Sequence, residues 1–140
     1  MFVSQQCPVS NACDERYVEM ATKFKEDGIL LIGINLNSTE SIGIMKGHAE
    51  DNNYNFPVLK DWNNVIADRF GALFTPHAFF ISKDAELIYR GRIDDNHRAP
   101  DRVKDTTLIN AVGEYLVGNE ISVKDTKSNG CDIKRVKMIP

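Results

Sequence analysis

Hydrophobic and polar residues alternate along this chain at two spacings, one typical of helices and one typical of strands. Across residues 8–25, apolar side chains recur every three or four positions, which predicts a helix that packs on one face. These side chains are Val9, Cys13, Tyr17, Met20, Ala21 and Phe24. The continuous apolar run at residues 29–34 predicts a strand that is buried on both faces of a sheet.

The later part of the chain repeats this alternation. A weaker periodicity predicts a helix over residues 39–51, with Asn37 and Glu40 as its N-terminal capping pair. The further predicted elements are an extended piece at 56–59, a helix at 62–73, an antiparallel strand pair at 78–82 and 87–93, and a helix at 106–117. This order indicates an α/β fold that needs one more strand ahead of residue 8 to complete its sheet.

Composition narrows the class of protein. The chain has 140 residues, the size of one domain, with 42% hydrophobic and 26% charged residues, as in an ordinary globular protein. No apolar run approaches the roughly 20 residues that cross a bilayer, so we expect no membrane association. A net charge of -3 supplies no basic surface for a phosphate backbone, so we expect no nucleic-acid partner.

The three cysteines, Cys7, Cys13 and Cys131, are few and irregularly spaced. Their odd number argues against a structural disulfide framework, and the absence of a C-x-x-C pair or a histidine pair argues against a zinc site. We therefore expect no metal and no other cofactor. The remaining possibilities are that the cysteines carry out thiol redox chemistry or that they have no chemical role.

Cys7 carries the clearest chemical signal, because it stands directly ahead of the first predicted helix. The free N–H groups and the positive dipole end of a helix N-terminus stabilise a thiolate and so lower the pKa of the thiol. Pro8 supports this placement, since proline is favoured at the first helical position. Cys7 is thus the predicted nucleophile; the alternative is a buried free cysteine without function.

Cys13 and Cys131 are the two candidates for a thiol that resolves the oxidised form of Cys7. A disulfide between Cys7 and Cys13 is possible only if the first helical turns unwind, because six residues of intact helix give about 9 Å of rise, beyond the roughly 7 Å Cα separation that a disulfide tolerates. Cys13 is therefore expected to be a core residue first. Cys131 follows Asn129 and Gly130 in a polar tail that could swing over the site.

Arginine and histidine side chains are the remaining candidates near the thiol. Arg90 and Arg92 alternate along a predicted strand and point to one face, where they could stabilise a thiolate or, as we expect, pair with Asp94 and Asp95. Among the histidines, only His77 is expected near Cys7, and nothing in its spacing identifies it as a base.

Four sequence blocks carry a resemblance to a known family. They are Cys7-Pro8-Val9, Gly71-Ala72-Leu73-Phe74-Thr75-Pro76, Tyr89-Arg90-Gly91-Arg92-Ile93-Asp94-Asp95, and Thr126-Lys127 with Gly130-Cys131-Asp132-Ile133-Lys134. In this order they resemble the peroxiredoxin-like branch of the thioredoxin superfamily, the redoxin or AhpC/TSA type. The resemblance implies a thioredoxin-like domain at residues 1–120, with a central mixed sheet flanked by helices, and a C-terminal tail at 121–140. It also implies a substrate-binding cis-proline loop at Thr75-Pro76, facing the reactive thiol of Cys7.

The chain departs from the family pattern at two places. Ser4 stands where many relatives have the first cysteine of a C-x-x-C pair, which excludes a simple C-x-x-C disulfide exchanger. Relatives also carry roughly two further strands before the Cys-Pro, so the N-terminal strands look truncated here. We expect the central slot between residues 29–34 and 78–82 to be completed by upstream residues, by a strand from a second copy, which would make a homodimer, or by direct pairing of its two walls.

These expectations lead to two hypotheses about function. The first is a thiol-dependent oxidoreductase with antioxidant activity, in which Cys7 attacks a peroxide or a protein disulfide and an external thiol reductant such as a thioredoxin restores it. The second is a non-catalytic thioredoxin-like module that binds an extended peptide at Thr75-Pro76. We expect a cytoplasmic location, with a periplasmic or secreted one left open.

Overall fold

The computed structural model describes residues 1–137, so the last three positions of the predicted tail at 121–140 lie outside the described residues. Strands alternate with helical segments up to residue 70, and three strands then follow one another over residues 74–91. The strands are β1 (Phe2–Val3), β2 (Gly33–Asn35), β3 (Val58–Lys60), β4 (Phe74–Thr75), β5 (Ala78–Ile81), β6 (Leu87–Gly91) and β7 (Cys131–Asp132). The helices are α1 (Pro8–Asn11), α2 (Asp14–Glu26), α3 (Ile42–Asp51), α4 (Val65–Phe70) and α5 (Thr107–Leu116).

The strands form a mixed arrangement around β1. Strands β1, β2 and β3 run parallel, in that spatial order, whereas β5 pairs antiparallel with β6 and β4 pairs antiparallel with β7. A bridge between Phe2 and His77, with backbone N–H to C=O distances of 2.9 and 3.2 Å, joins β1 to the chain just ahead of β5. The expected mixed α/β fold with a predicted hairpin at β5 and β6 is confirmed.

Two hydrophobic clusters lie on opposite faces of these strands, because successive strand side chains point to opposite sides. Val3, Ala78 and Phe80 face the larger cluster, which the apolar stripes of α2 and α5 complete. Phe2 and Phe79 face a smaller cluster that α4 covers. The helices therefore sandwich the sheet, and the N-terminus of α1 lies at the end of the central strand.

The predicted helix over residues 8–25 is divided in the structure. The backbone N–H of Cys13 donates to the carbonyl of Ser10, three residues back, at 2.9 Å, and this tighter turn ends α1 before α2 begins. The predicted capping pair at Asn37 and Glu40 is wrong as well. Ser41 caps α3, and its side chain accepts a hydrogen bond from the N–H of Ile44 at 3.2 Å.

The predicted buried strand at residues 29–34 is only partly a strand. Only its last part, in β2, pairs with β1 at Phe2 and Val3, and the Met1 amino group donates to the Ile32 carbonyl at 3.0 Å. Beyond that point a groove of about 650 Å³ separates the preceding residues from β5, and the Leu30 side chain is 68% exposed. The two walls do not pair with each other, so the structure does not show the rearranged sheet that was one of the three alternatives.

Candidate active site

Cys7 is the N-cap residue of α1, as its position ahead of Pro8 predicts. Its backbone is extended, and the N–H of Ser10 donates to the sulfur at 3.3 Å. Pro8 occupies the first turn, where its missing N–H leaves no donor unsatisfied. The side chain is only 1% exposed. A thiolate at this position would accept a backbone hydrogen bond inside a pocket that excludes bulk water.

The turn that leads into Cys7 is held by the buried carboxylate of Glu40, which is 2% exposed. Glu40 accepts backbone hydrogen bonds from Gln6 at 2.8 Å and Gln5 at 3.3 Å, and side-chain hydrogen bonds from Ser4 and Asn35. Burial raises the pKa of Glu40, but these hydrogen bonds outweigh it, and the pKa lies below the ordinary value. The carboxylate therefore stays ionised and fixes the turn.

The Thr75-Pro76 loop lies directly beside the sulfur of Cys7. The peptide bond between these residues is cis, and the Thr75 carbonyl oxygen is 3.1 Å from Cys7 Sγ. Both residues are buried. The structure thus brings together the predicted nucleophile and the predicted substrate-binding loop.

Cys131 occupies the remaining side of Cys7. Strand β7 pairs antiparallel with β4 so that Cys131 stands opposite Thr75. The Cα atoms of Cys7 and Cys131 are 5.8 Å apart, a separation that a disulfide accommodates, and the two sulfurs are bonded across a sequence separation of 124 residues. Of the two candidate resolving thiols, the structure places Cys131 at the site.

Residues on both sides of Cys131 fasten the tail to the domain. His97 donates a hydrogen bond from Nδ1 to the carbonyl of Asn129 at 2.7 Å, and the Ser128 hydroxyl donates to the carbonyl of Pro76. On the other side, the N–H of Ile133 donates to the Leu73 carbonyl at 3.3 Å. These contacts hold Cys131 in register with β4.

Cys13 lies elsewhere, in the larger hydrophobic cluster, as a free and fully buried thiol. Its sulfur contacts the carbonyl of Val9 at 3.4 Å and the guanidinium of Arg16 at 3.3 Å. Burial raises the pKa of the Cys13 thiol to about 12, although the charge of Arg16 opposes this shift. The thiol is therefore protonated at neutral pH, which agrees with the predicted core role.

The predicted arginine pairs are wrong in their partners. Arg90 pairs with Asp125 at 2.7 Å and Arg92 pairs with Asp105 at 2.9 Å. Arg90 therefore binds the tail and Arg92 binds the loop before α5, and neither arginine pairs with a thiolate. Asp94, which was expected to pair with them, binds Arg16 instead.

His77 is buried next to Pro76 and bonded through its backbone to β1. Burial, assisted by the positive charge of Arg90, lowers the pKa of His77 to about 4. The imidazole is thus neutral at physiological pH.

Among residues 1–137, no group of three or more histidine, cysteine, aspartate or glutamate side chains is arranged to hold a metal ion. Nor does any helix in this range combine the length and the apolar character that a bilayer crossing requires.

Comparison with known proteins relates this site to a family. The model of the AhpC/TSA family matches residues 1–90. The structure of an uncharacterized conserved protein from Geobacillus kaustophilus is similar with a TM-score of 0.90 at 28% identity, and covers 99% of this chain and 77% of that one. A hypothetical protein from Sinorhizobium meliloti 1021 is similar with a TM-score of 0.86 at 29% identity, and covers 96% of this chain and 77% of that one.

A third structure supports the fold. It is a secreted Mycobacterium tuberculosis disulfide oxidoreductase homologous to E. coli DsbE, with a TM-score of 0.55 at 24% identity over 61% of each chain. This likeness shows the shared fold, which is the thioredoxin-like α/β fold that the sequence predicts. No curated protein matches the chain.

Proposed function

Because the chain belongs to the AhpC/TSA family, we propose that it is a thiol oxidoreductase in which Cys7 is the attacking thiol and Cys131 the resolving thiol. The observation that carries this proposal is the bonded pair of sulfurs beside the cis Thr75-Pro76 loop. A cysteine at a helix N-cap, a proline loop against its sulfur and a second cysteine within bonding distance are the parts that a two-thiol redox cycle requires.

The proposed cycle balances with the groups at hand and one external reductant. The Cys7 thiolate attacks one peroxide oxygen and breaks the O–O bond, which makes Cys7 a sulfenic acid. The other oxygen leaves as an alkoxide or hydroxide and takes a proton from solvent to become an alcohol or water. The Cys131 thiol then displaces the hydroxyl group of the sulfenic acid as water, which forms the Cys7–Cys131 disulfide. An external dithiol reduces this disulfide and is itself oxidised. With a substrate disulfide, Cys7 attacks sulfur and a substrate thiolate leaves.

Burial and hydrogen bonding support these two roles. The Ser10 N–H, 3.3 Å from Cys7 Sγ, would stabilise the thiolate both as nucleophile and as leaving group. Cys131 is more exposed than Cys7, so a reductant reaches its sulfur first. Cys13, whose thiol is protonated and sealed in the core, is left out of the cycle.

Counting free thiols in variants that each have one cysteine replaced by serine tests the proposal. After one equivalent of hydrogen peroxide, the reduced wild-type protein should lose the Cys7 and Cys131 thiols together and retain Cys13. The Cys131→Ser variant should stop at a Cys7 sulfenic acid that dimedone traps, and the Cys7→Ser variant should lose no thiol. Cys13→Ser serves as the matched control and should oxidise like the wild type.

The competing function is a non-catalytic peptide-binding module, and the burial of Cys7 beneath the tail favours it. The same experiment separates the two. If neither peroxide nor a small disulfide consumes the Cys7 thiol of the folded Cys131→Ser variant, the enzyme proposal is wrong and the binding module stands.

A further inference from the structure

The tail reaches Cys7 along a path that only glycine permits. A Cβ atom built on Gly130 would lie 2.1 Å from the carbonyl oxygen of Thr75 and 2.7 Å from its carbonyl carbon. Real Cβ atoms do not approach backbone atoms so closely, and the Thr75 backbone is held as the last residue of β4, directly before Pro76. The φ angle of Gly130 is not in the left-handed region. Glycine is thus needed at this position for space and not for backbone conformation.

The same stretch of tail lies where an incoming polypeptide would lie. Among the described residues, strand β4 pairs only with β7, and this pairing places a cysteine opposite Thr75 and bonded to Cys7. An extended chain that adds to the edge of β4 must present its own cysteine at that register to reach the sulfur. Its residue before the cysteine then meets the Thr75 carbonyl, as Gly130 does.

A second contact lies on the other side of the cysteine. Ile133 packs against the smaller hydrophobic cluster and donates its N–H to the carbonyl of Leu73. Asp132, between Cys131 and Ile133, pairs with Phe74 through its backbone and is exposed, so its side chain sets no requirement. The tail therefore displays the sequence Gly-Cys-Xaa-Ile as the pattern that fits this edge.

We propose that the site selects polypeptide disulfides whose attacked cysteine follows a glycine, and that residues 128–133 occupy it as a built-in copy of such a substrate. This inference rests on the proposed role of Cys7 as the attacking thiol. The Cys7 thiolate forms a bond to the cysteine sulfur of the peptide, the original S–S bond breaks, and the released thiolate carries away the electron pair. No further oxidant enters this step.

A pair of synthetic peptides tests the selectivity on the full-length Cys131→Ser variant. One peptide has the tail sequence Ser-Asn-Gly-Cys-Asp-Ile-Lys, with its cysteine as a mixed disulfide to thionitrobenzoate, and the other has alanine in place of the glycine. Release of the coloured thiolate gives the rate, and mass spectrometry locates the peptide on Cys7. A Cβ forced into a packed site raises the free energy of the reacting complex, so the alanine peptide should release the coloured thiolate at least ~10-fold more slowly.

Controls separate the possible outcomes. Both peptides should react equally with N-acetylcysteine, and the double variant Cys7→Ser/Cys131→Ser gives the blank rate. Equal rates of the two peptides on Cys7 would overturn the glycine selectivity and leave the proposed function standing. No reaction of Cys7 with either peptide or with a small disulfide would overturn both.

A second measurement uses the tail in place of a peptide. In the otherwise wild-type chain, Gly130→Ala should shift the equilibrium between dithiol and disulfide at least ~10-fold toward the dithiol in a glutathione buffer. Gly113→Ala is the matched control, because a Cβ on this helical glycine meets no atom within 4 Å, and it should leave the equilibrium unchanged. An unchanged equilibrium in Gly130→Ala would show that the close approach to Thr75 is not required.

Discussion

Opening the Cys7–Cys131 disulfide should destabilise the whole domain, not only the site. The bond joins residues 124 apart in sequence and so closes nearly the entire chain into a ring. Cross-linking a loop of this length removes unfolded-state entropy worth about 5 kcal/mol at 25 °C in the chain-entropy treatment. Domains typically have a free energy of unfolding of only about 5–15 kcal/mol. The free energy of unfolding of the reduced protein should therefore be much smaller than that of the oxidised protein.

Urea unfolding of the oxidised and reduced wild-type protein measures this difference. We expect the midpoint to fall on reduction and the dependence on urea to steepen, since the reduced unfolded chain exposes more surface. Cys131→Ser, with and without reductant, is the control and should show no change. A loss below about 1 kcal/mol on reduction, well under the entropy figure, would refute the reasoning, as would an equal response in the control.

Three further predictions concern buried groups. Glu40→Gln should lower the free energy of unfolding by about 2 kcal/mol, the value of hydrogen bonds to a buried charge, whereas the exposed Glu50→Gln should change it little; equal effects in urea unfolding would contradict the role of Glu40. His77 is neutral in the folded state and takes up a proton more readily when unfolded, so stability is complete above about pH 6.5 and falls as the pH drops toward 4. The loss reaches at most about 3 kcal/mol, and His77→Gln should flatten the plot of stability against pH; an unchanged slope would rule out this group. Cys13→Ser should lower stability by about 1 kcal/mol and leave peroxide turnover intact, and a folded variant that stalls after one turnover would make Cys13 a redox thiol.

The sequence predicts the local features of the site better than its long-range ones. Cys7 at a helix N-terminus follows from proline preference and dipole chemistry, which act within a few residues. The pairing of Cys7 with Cys131 depends on the path of the tail across β4, and no spacing rule covers two cysteines so far apart. The sequence therefore names Cys131 as a candidate and cannot choose it over Cys13.

Two errors share one cause, which is that a local pattern has two structural interpretations. Asn37 and Glu40 have the spacing of a capping pair, yet the Glu40 carboxylate turns inward to bind the backbone before Cys7. What reveals the role of Glu40 is its contact with the side-chain donors of Ser4 and Asn35, and Ser4 is far from Glu40 in sequence. The run at 29–34 has the composition of a buried strand, but Leu30 is exposed because nothing described covers it.

The place of Cys131 in the tail also has an evolutionary consequence. The region that matches the family ends at residue 90, so it contains Cys7 and the Thr75-Pro76 loop but not the second sulfur. In the proposed cycle, a single codon change at Cys131 would convert a protein that completes its own disulfide into one that must recruit a thiol from another molecule, and a change at Gly130 would weaken the same partnership without removing any sulfur.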